Sequence, residues 1–227
     1  VGFAIFKNAW PLDAVKGRVS MTPIEGGGVQ ISSGLLEMEV GEIFAHGRFV
    51  LNAPKDRGEQ SWGLEVGVQN ARLTEAGPYL PTSLSPAFRQ WLQDAVLGGQ
   101  APASSMIFHG PPTADTPKEH KTFELLFDVK DLSMRYHPEW PAVDEVEALV
   151  FAGNHGAVVH DAVGRLYTST VHNINVQVPI VHGGGVEQVE VDAELVGPLD
   201  DSIRFINETP LAALTNRVTA HWQGSGN

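Results

Sequence analysis

A two-residue alternation of apolar and polar side chains, repeated along most of the chain, is the feature that most limits how it can fold. Trp62, Leu64, Val66 and Val68 take every second position, and so do Phe123, Leu125, Phe127 and Val129. Successive side chains of a β-strand point to opposite faces, so each run has one apolar and one polar side. The same period recurs in Val15–Met21, in Val29 and Ile31, and in Leu36, Met38 and Val40. It returns in Ile43 and Ala45, leading on to Phe49 and Leu51. Further along come Met106 and Phe108, read as a short strand, then Leu132, Met134 and Tyr136, then Val146, Ala148 and Val150. Val158, His160 and Ala162 follow, then Leu166, Thr168 and Thr170, then Ile174, Val176 and Val178. Val189 to Leu195 reads as a strand, and Ile203 with Phe205 as a shorter one. The chain is expected to be mainly β, with one-sided sheets.

Two stretches break the period. In SPAFRQWLQDAVLGG, Ser85 suits a helix cap and Pro86 the first helical position. Phe88, Trp91, Leu92, Ala95 and Val96 recur at helical spacing on one face, and Gly98-Gly99 supplies a stop. The spacing predicts an amphipathic helix over 86–97, which must lay its apolar face on a sheet. A second helix is expected near 210–222, where Pro210 precedes Leu211, Leu214, Val218 and Trp222. The runs Gly26–Gly28 and Gly183–Gly185 lack a following helix and a phosphate-loop lysine, so they read as turns. The segment HGPPTADTPKEHK, 109–121, reads as a proline-rich loop.

Charge and composition exclude several functions. Asp and Glu number 27 against 15 Lys and Arg, a formal charge of −12, and no basic run occurs. Binding to nucleic acid or to an anionic membrane surface needs clustered Lys and Arg, so neither is expected. Cysteine is absent, which rules out disulfides, thiol nucleophiles and Cys-ligated zinc or iron–sulfur sites, and fits a periplasmic or secreted chain. No apolar run approaches the roughly 20 residues that cross a bilayer. The chain opens mid-pattern at Val1-Gly2-Phe3 without Met, and reads as an internal piece of a longer protein.

Candidate chemistry is sparse. The densest histidine cluster is His155 and His160, but residues five apart on a strand face opposite ways and do not converge on a metal. Glu37/Glu39, Glu187/Glu190 and Asp200/Asp201 are paired carboxylates. Glu37 and Glu39 share the polar strand face, where they stay solvated. A glycan-active enzyme would need two inward carboxylates in one cleft, and no serine elbow, P-loop or dinucleotide fingerprint is present. No catalytic residue, metal or cofactor is expected.

What remains is the apolar face. From the pattern alone a β-sandwich leads, because one-sided sheets usually bury that side on a second sheet. The other reading is an open groove for an acyl chain. Trp10-Pro11, Leu80-Pro81, Trp140-Pro141 and Thr209-Pro210 recur at intervals of roughly 60–70 residues, which suggests repeated units. VGVQNARLTEAGPYLP (66–81) also matches FDVKDLSMRYHPEWP (127–141): strand, polar pair, short strand, then aromatic-X-Pro or Trp-Pro.

The stretch Tyr79-Leu80-Pro81, Leu84-Ser85-Pro86, Phe88, Trp91-Leu92, Ala95-Val96 and Gly98 resembles a segment of the YhdP proteins, members of the AsmA-like family of Gram-negative bacteria. So do Tyr136-His137-Pro138-Glu139-Trp140-Pro141 with Ala148–Phe151, and Phe205–Leu211. The resemblance runs from about Trp62 to the end. It implies a long curved antiparallel sheet, a β-groove built from repeated strand units, apolar inside and polar outside. It implies units near 1–78, 79–139 and 140–208, with 209–222 starting the next. It also implies a periplasmic segment of an inner-membrane-anchored protein, its anchor outside this piece, in a bridge that moves phospholipid toward the outer membrane.

On that reading the groove takes precedence over the sandwich. Acyl chains would lie against Leu36, Met38, Val40, Phe49, Leu51, Leu64, Val66, Val68, Leu125, Phe127, Val129, Met134 and Val176, with Phe88, Trp91 and Leu92 of the helix flooring or plugging the trough. The partners implied are phospholipid acyl chains and adjacent segments of the same chain. Val66→Asp is expected to block lipid passage while leaving the fold intact. The alternative is a non-enzymatic structural or interaction module of the cell envelope with a filled core and exposed strand edges.

Overall fold

A computed structural model describes residues 13–41, 43–55, 60–77, 86–111, 117–154, 156–179 and 189–214. Alternation produces the expected strands. They are β1 (Ala14–Lys16), β2 (Val19–Pro23), β3 (Gly28–Ser33), β4 (Leu36–Val40), β5 (Ile43–Pro54) and β6 (Ser61–Arg72). After helix α1 (Pro86–Ala95) come β7 (Val96–Gly110), β8 (Thr122–Met134), β9 (Val143–Gly153), β10 (Gly156–Leu166), β11 (Ser169–Pro179) and β12 (Glu190–Val196). Two short helices follow, α2 (Leu199–Glu208) and α3 (Leu211–Leu214).

All these strands join one 12-stranded antiparallel sheet. Its main path runs β1-β4-β5-β6-β7-β8-β9-β10-β11-β12, while β3 pairs with the second half of β5 and β2 with β3. The sheet stays open, with β1 and β2 at one edge and β12 at the other. Nine steps of about 4.8 Å make it about 43 Å long across the strands. The sandwich expected from pattern alone is therefore corrected: no second sheet exists among the described residues. The turn at Gly26–Gly28 is found between β2 and β3.

The long strands are folded along a band. Asn70, Asp131, Glu145, Asp161 and Asn173 have φ between 50 and 58°, in the left-handed region. They lie one each on β6, β8, β9, β10 and β11, with Gly99, φ 123°, on β7 between the first two. Register shifts accompany them in the ladders of β7 to β12. Each non-glycine member is the second residue of a polar pair: Gln69-Asn70, Lys130-Asp131, Asp144-Glu145, His160-Asp161 and His172-Asn173. Four of these pairs sit at register shifts, as bulges placing two successive residues outward, after which apolar residues resume facing inward. Bulges bend the strand that carries them, so a band of bulges creases the sheet into a trough. Gly99 has no alternative at its place, since a Cβ there would meet the Leu132 Cα at 2.8 Å.

The bulges explain one misassigned phase. Val158 was expected to share a face with Ala162. Instead Val159 and Ala162 face inward, and Val158 and His160 outward, because His160-Asp161 inserts the extra residue. The crease makes a testable demand. Asp161→Val, which puts a β-branched side chain at φ 50°, should cost about 1–2 kcal/mol. Asp161→Gly should cost less, and thermal melting of the two variants checks the order.

Three helix and strand expectations are corrected. The helix over 86–97 stops at Ala95, and Gly98-Gly99 lies inside β7 instead of capping it. Ser85 lies outside the described residues. The short strand at Met106 and Phe108 is the end of a 15-residue strand. Its Ala, Ser and Gly residues carry little strand propensity and are held by neighbours on both sides. Ile203 and Phe205 belong to helix α2, where Leu199, Ile203 and Ile206 recur at helical spacing and Asp200-Asp201 fills the first turn. Of the helix expected near 210–222, Leu211–Leu214 is helical and 215–222 lies outside the described residues.

Candidate functional site

One face of the sheet is apolar along its whole length. Val15, Met38, Ala45, Val68, Ser104, Phe127, Val150, Val159, Val176 and Val191 are partners in turn across all ten strands of the main path. Ser104 is the one polar member, and its hydroxyl reaches the Val68 carbonyl at 3.5 Å. A second row runs parallel to it: Leu36, Gly47, Val66, Met106, Leu125, Ala152, Ala157 and Val178. A third, Phe49, Leu64, Phe108 and Phe123, lies beside these at the β5–β8 end. Cross-strand neighbours on one face are in side-chain contact, so the rows form continuous apolar tracks perpendicular to the strands.

The strand residues expected on this face lie on it. Leu36, Met38, Phe49, Leu64, Val66, Val68, Leu125, Phe127 and Val176 belong to the three rows. Val40 is paired with Ile43, Leu51 with Trp62, Val129 with Ala148 and Met134 with Val143. The face is not uniform. Met38, Ala45, Leu64, Val66, Met106 and Phe108 form a tight cluster, joined by Phe49, Trp62, Val68, Phe123 and Leu125. Toward β9 and β10 the second row narrows to Ala152 and Ala157, and the residues are half-buried.

The helix does not lie along these rows. Trp91 is partly exposed and donates its indole N–H to the Tyr136 carbonyl at 2.9 Å, in the β8–β9 connection. Leu92 is half-buried, and the side chain of Phe88 lies outside the described residues. The antiparallel order puts the ends of β6, β8, β10 and β12 and the starts of β7, β9 and β11 on one rim. Helices α1, α2 and α3 all sit on that rim.

Aromatic rings and ion pairs tie the rim together. Tyr136 lies 5.8 Å from Trp140, and Trp140 lies 5.5 Å from Phe205 of α2, centroid to centroid. The Arg204 guanidinium sits 4.0 Å above the Tyr167 ring and pairs with Glu208 at 2.8 Å. The Tyr167 hydroxyl also donates to Glu208 at 2.9 Å. Those two hydrogen bonds, Arg204 first, hold the Glu208 carboxyl below the usual range. Burial pushes the Tyr136 phenol up to about 12, and burial with the Glu208 contact does the same for Tyr167.

Asp201, weighed from the sequence as half of a carboxylate pair, is structural. Its side chain is 8% exposed, and one oxygen accepts from the Thr168 N–H and hydroxyl and the Ser169 hydroxyl. The Ser169 and Thr168 hydroxyls hold its carboxyl below the usual aspartate range. It fastens α2 to the β10–β11 turn. Glu37 and Glu39 face outward and stay exposed, with Lys16 3.6 Å from Glu37. His155 and Glu187 lie outside the described residues, while His160 faces outward 3.4 Å from the Asn175 side chain. No group of three His, Asp or Glu positioned for a metal occurs among the described residues.

Two concavities accompany the apolar face. One, about 320 Å³, lies on the outward face over Gly63, between Val50, Ile107, His109 and the Arg48–Glu65 ion pair at 2.6 Å. The other, about 250 Å³, lies on the helical rim and is lined by Arg135, Pro138, Glu139, Trp140, Pro141 and Glu208. Sequence reasoning missed this rim. Its signal was a cation beside an aromatic at the end of a run: Arg135-Tyr136, Arg165 before Tyr167, and Arg204-Phe205.

Among the described residues no helix is long and apolar enough to cross a membrane. The YhdP protein family model matches residues 3–227 of the chain. A curated relative, the intermembrane phospholipid transporter YhdP of Escherichia coli (strain K12), is 22% identical over 205 residues. The match covers 88% of this chain and 16% of that relative, so the chain spans a small part of the relative's length. No solved structure matches the chain.

Proposed function

Because the chain belongs to the YhdP protein family, we propose that it forms a section of a phospholipid-transport bridge and holds acyl chains against its creased apolar face. The observation that carries this reading is the apolar row across all ten strands of the main path, from Val15 to Val191. An acyl chain needs no directional chemistry. It needs a track where each methylene leaves water, worth about 0.8 kcal/mol apiece. Lipid-lining residues are then Leu36, Met38, Val40, Phe49, Leu51, Leu64, Val66, Val68, Leu125, Phe127, Val129, Met134 and Val176. Trp91 and Leu92 take the rim, and Phe88 goes with their helix. No residue acts as a catalyst in this reading.

The row ends at both sheet edges on an exposed valine, Val15 on one side and Val191 on the other. Neighbouring segments of the longer protein would extend the track there by strand pairing. The division into units at 78/79, 139/140 and 208/209 belongs to the same proposal: the second falls in the β8–β9 connection and the third between α2 and α3, both on the helical rim, while 78/79 lies outside the described residues. The section would work in the periplasm, with its membrane anchor elsewhere in the longer chain.

Native mass spectrometry of the purified chain tests the function. Phospholipid should co-purify and be released on unfolding. Protein that is lipid-free when isolated from membranes and takes none up from vesicles would favour the other reading, a non-enzymatic envelope module with a filled core.

A further inference from the structure

We propose that the rim concavity beside Trp140 is a headgroup site for phospholipids carrying both a phosphate and an ammonium group; this rests on the lipid-binding reading above. The site opens where the apolar face ends. Arg135 directly follows Met134, the last residue of β8, and Met134 is paired with Val143 at the start of β9. An acyl chain lying over Met134 and Val143 would bring its headgroup to the rim.

The charges at the concavity select the headgroup. The Arg135 backbone N–H donates to the Ala95 carbonyl at 2.8 Å, which fixes the residue against the end of α1. Its guanidinium has no carboxylate or carbonyl partner among the described residues, although it lines the concavity with two carboxylates, Glu139 and Glu208. A guanidinium without a partner is suited to a phosphate, which it can grip with two parallel hydrogen bonds. Glu208 is already shared with Arg204 and Tyr167, whereas Glu139 is exposed, with the His137 ring 3.9 Å away. A purely anionic headgroup would meet these two carboxylates. A headgroup with an ammonium two or three atoms beyond the phosphate places its cation between them, against the Trp140 ring. The volume, about 250 Å³, lies below the roughly 300–1,000 Å³ of sites that enclose a drug-sized ligand. It suits a headgroup and excludes a whole lipid.

The test loads the full chain with an equimolar mixture of phosphatidylethanolamine and phosphatidylglycerol from detergent, then counts retained lipids by native mass spectrometry. Wild type should favour phosphatidylethanolamine about tenfold, and Glu139→Gln should lose most of that preference while retaining as much total lipid. Arg135→Gln removes a phosphate contact common to both lipids, so it should keep the preference for phosphatidylethanolamine and weaken competition by soluble phosphoethanolamine. Both side chains are exposed, so melting should be unchanged, and a melting check excludes misfolding. The same headgroup ratio in wild type and Glu139→Gln, with lipid bound to both, overturns the headgroup site and leaves the lipid-binding reading standing. Lipid on neither overturns both. Soluble phosphoethanolamine supplies the last arm: competition for the site as strong as that of the lipid would show that the ligand is a free amino phosphate, and would overturn the lipid source.

Discussion

Val66→Asp is expected to destroy cooperative folding, and not merely to obstruct lipid. Val66 is 5% exposed, paired between Gly47 and Met106, and packed in the cluster with Met38, Leu64 and Phe108. A carboxylate there has no partner in the cluster and must stay buried uncompensated or take up a proton. Leaving a buried charge unpaired costs about 3–5 kcal/mol, against a total stability of about 5–15 kcal/mol for an ordinary domain. The variant should lose its thermal transition by circular dichroism or melt far below wild type. The sequence-level expectation that this substitution spares the fold is therefore corrected by burial. Wild-type melting of Val66→Asp would mean that the β5–β7 part of the face is wet, and the tight cluster would be wrong.

Val176→Asp probes the same face where it is looser. Val176 is half-buried and lies in the ten-strand row between Val159 and Val191, near the β12 edge. An aspartate there can reach water, so the fold should survive with a modest fall in melting temperature. The track is nevertheless cut, because a hydrated carboxylate replaces apolar contact for two or more methylenes. At about 0.8 kcal/mol per methylene the retained lipid should fall about tenfold or more. Val176→Leu is the control and should retain lipid at wild-type levels. Folded Val176→Asp carrying as much lipid as wild type would remove the row as the carrier of function.

The two valines differ only in what surrounds them, and that difference marks the limit of sequence reading here. Period-two alternation is set by the backbone geometry of a strand, so Val66 and Val176 were both legible as members of one apolar face. Their burial was not legible, because it depends on Met106, Phe108 and Leu64 arriving from strands whose pairing is decided by the whole sheet. The helix over 86–95 was legible to within two residues, since proline and 3.6-residue spacing are local signals. Helix α2 was missed because Ile203 and Phe205 also fit alternation, and five residues cannot tell the two periods apart.

The rim was the least legible part. Arg135 and Trp140 share the β8–β9 connection, but Glu208 comes from α2 far along the chain, and only the shared orientation of strand ends brings it to them.

The crease divides the two kinds of information most sharply. The sequence by itself determined that the chain is mainly β, that its strands are one-sided and that polar pairs interrupt them, because these follow from side-chain chemistry at fixed spacing. The tertiary structure alone decided that the interruptions at Asn70, Asp131, Glu145, Asp161 and Asn173 form one band across neighbouring strands. A bulge is a relation between two strands, and its position relative to other bulges is set by register. That register, which no single stretch of the chain contains, gathers scattered valines into one track and folds the sheet along it.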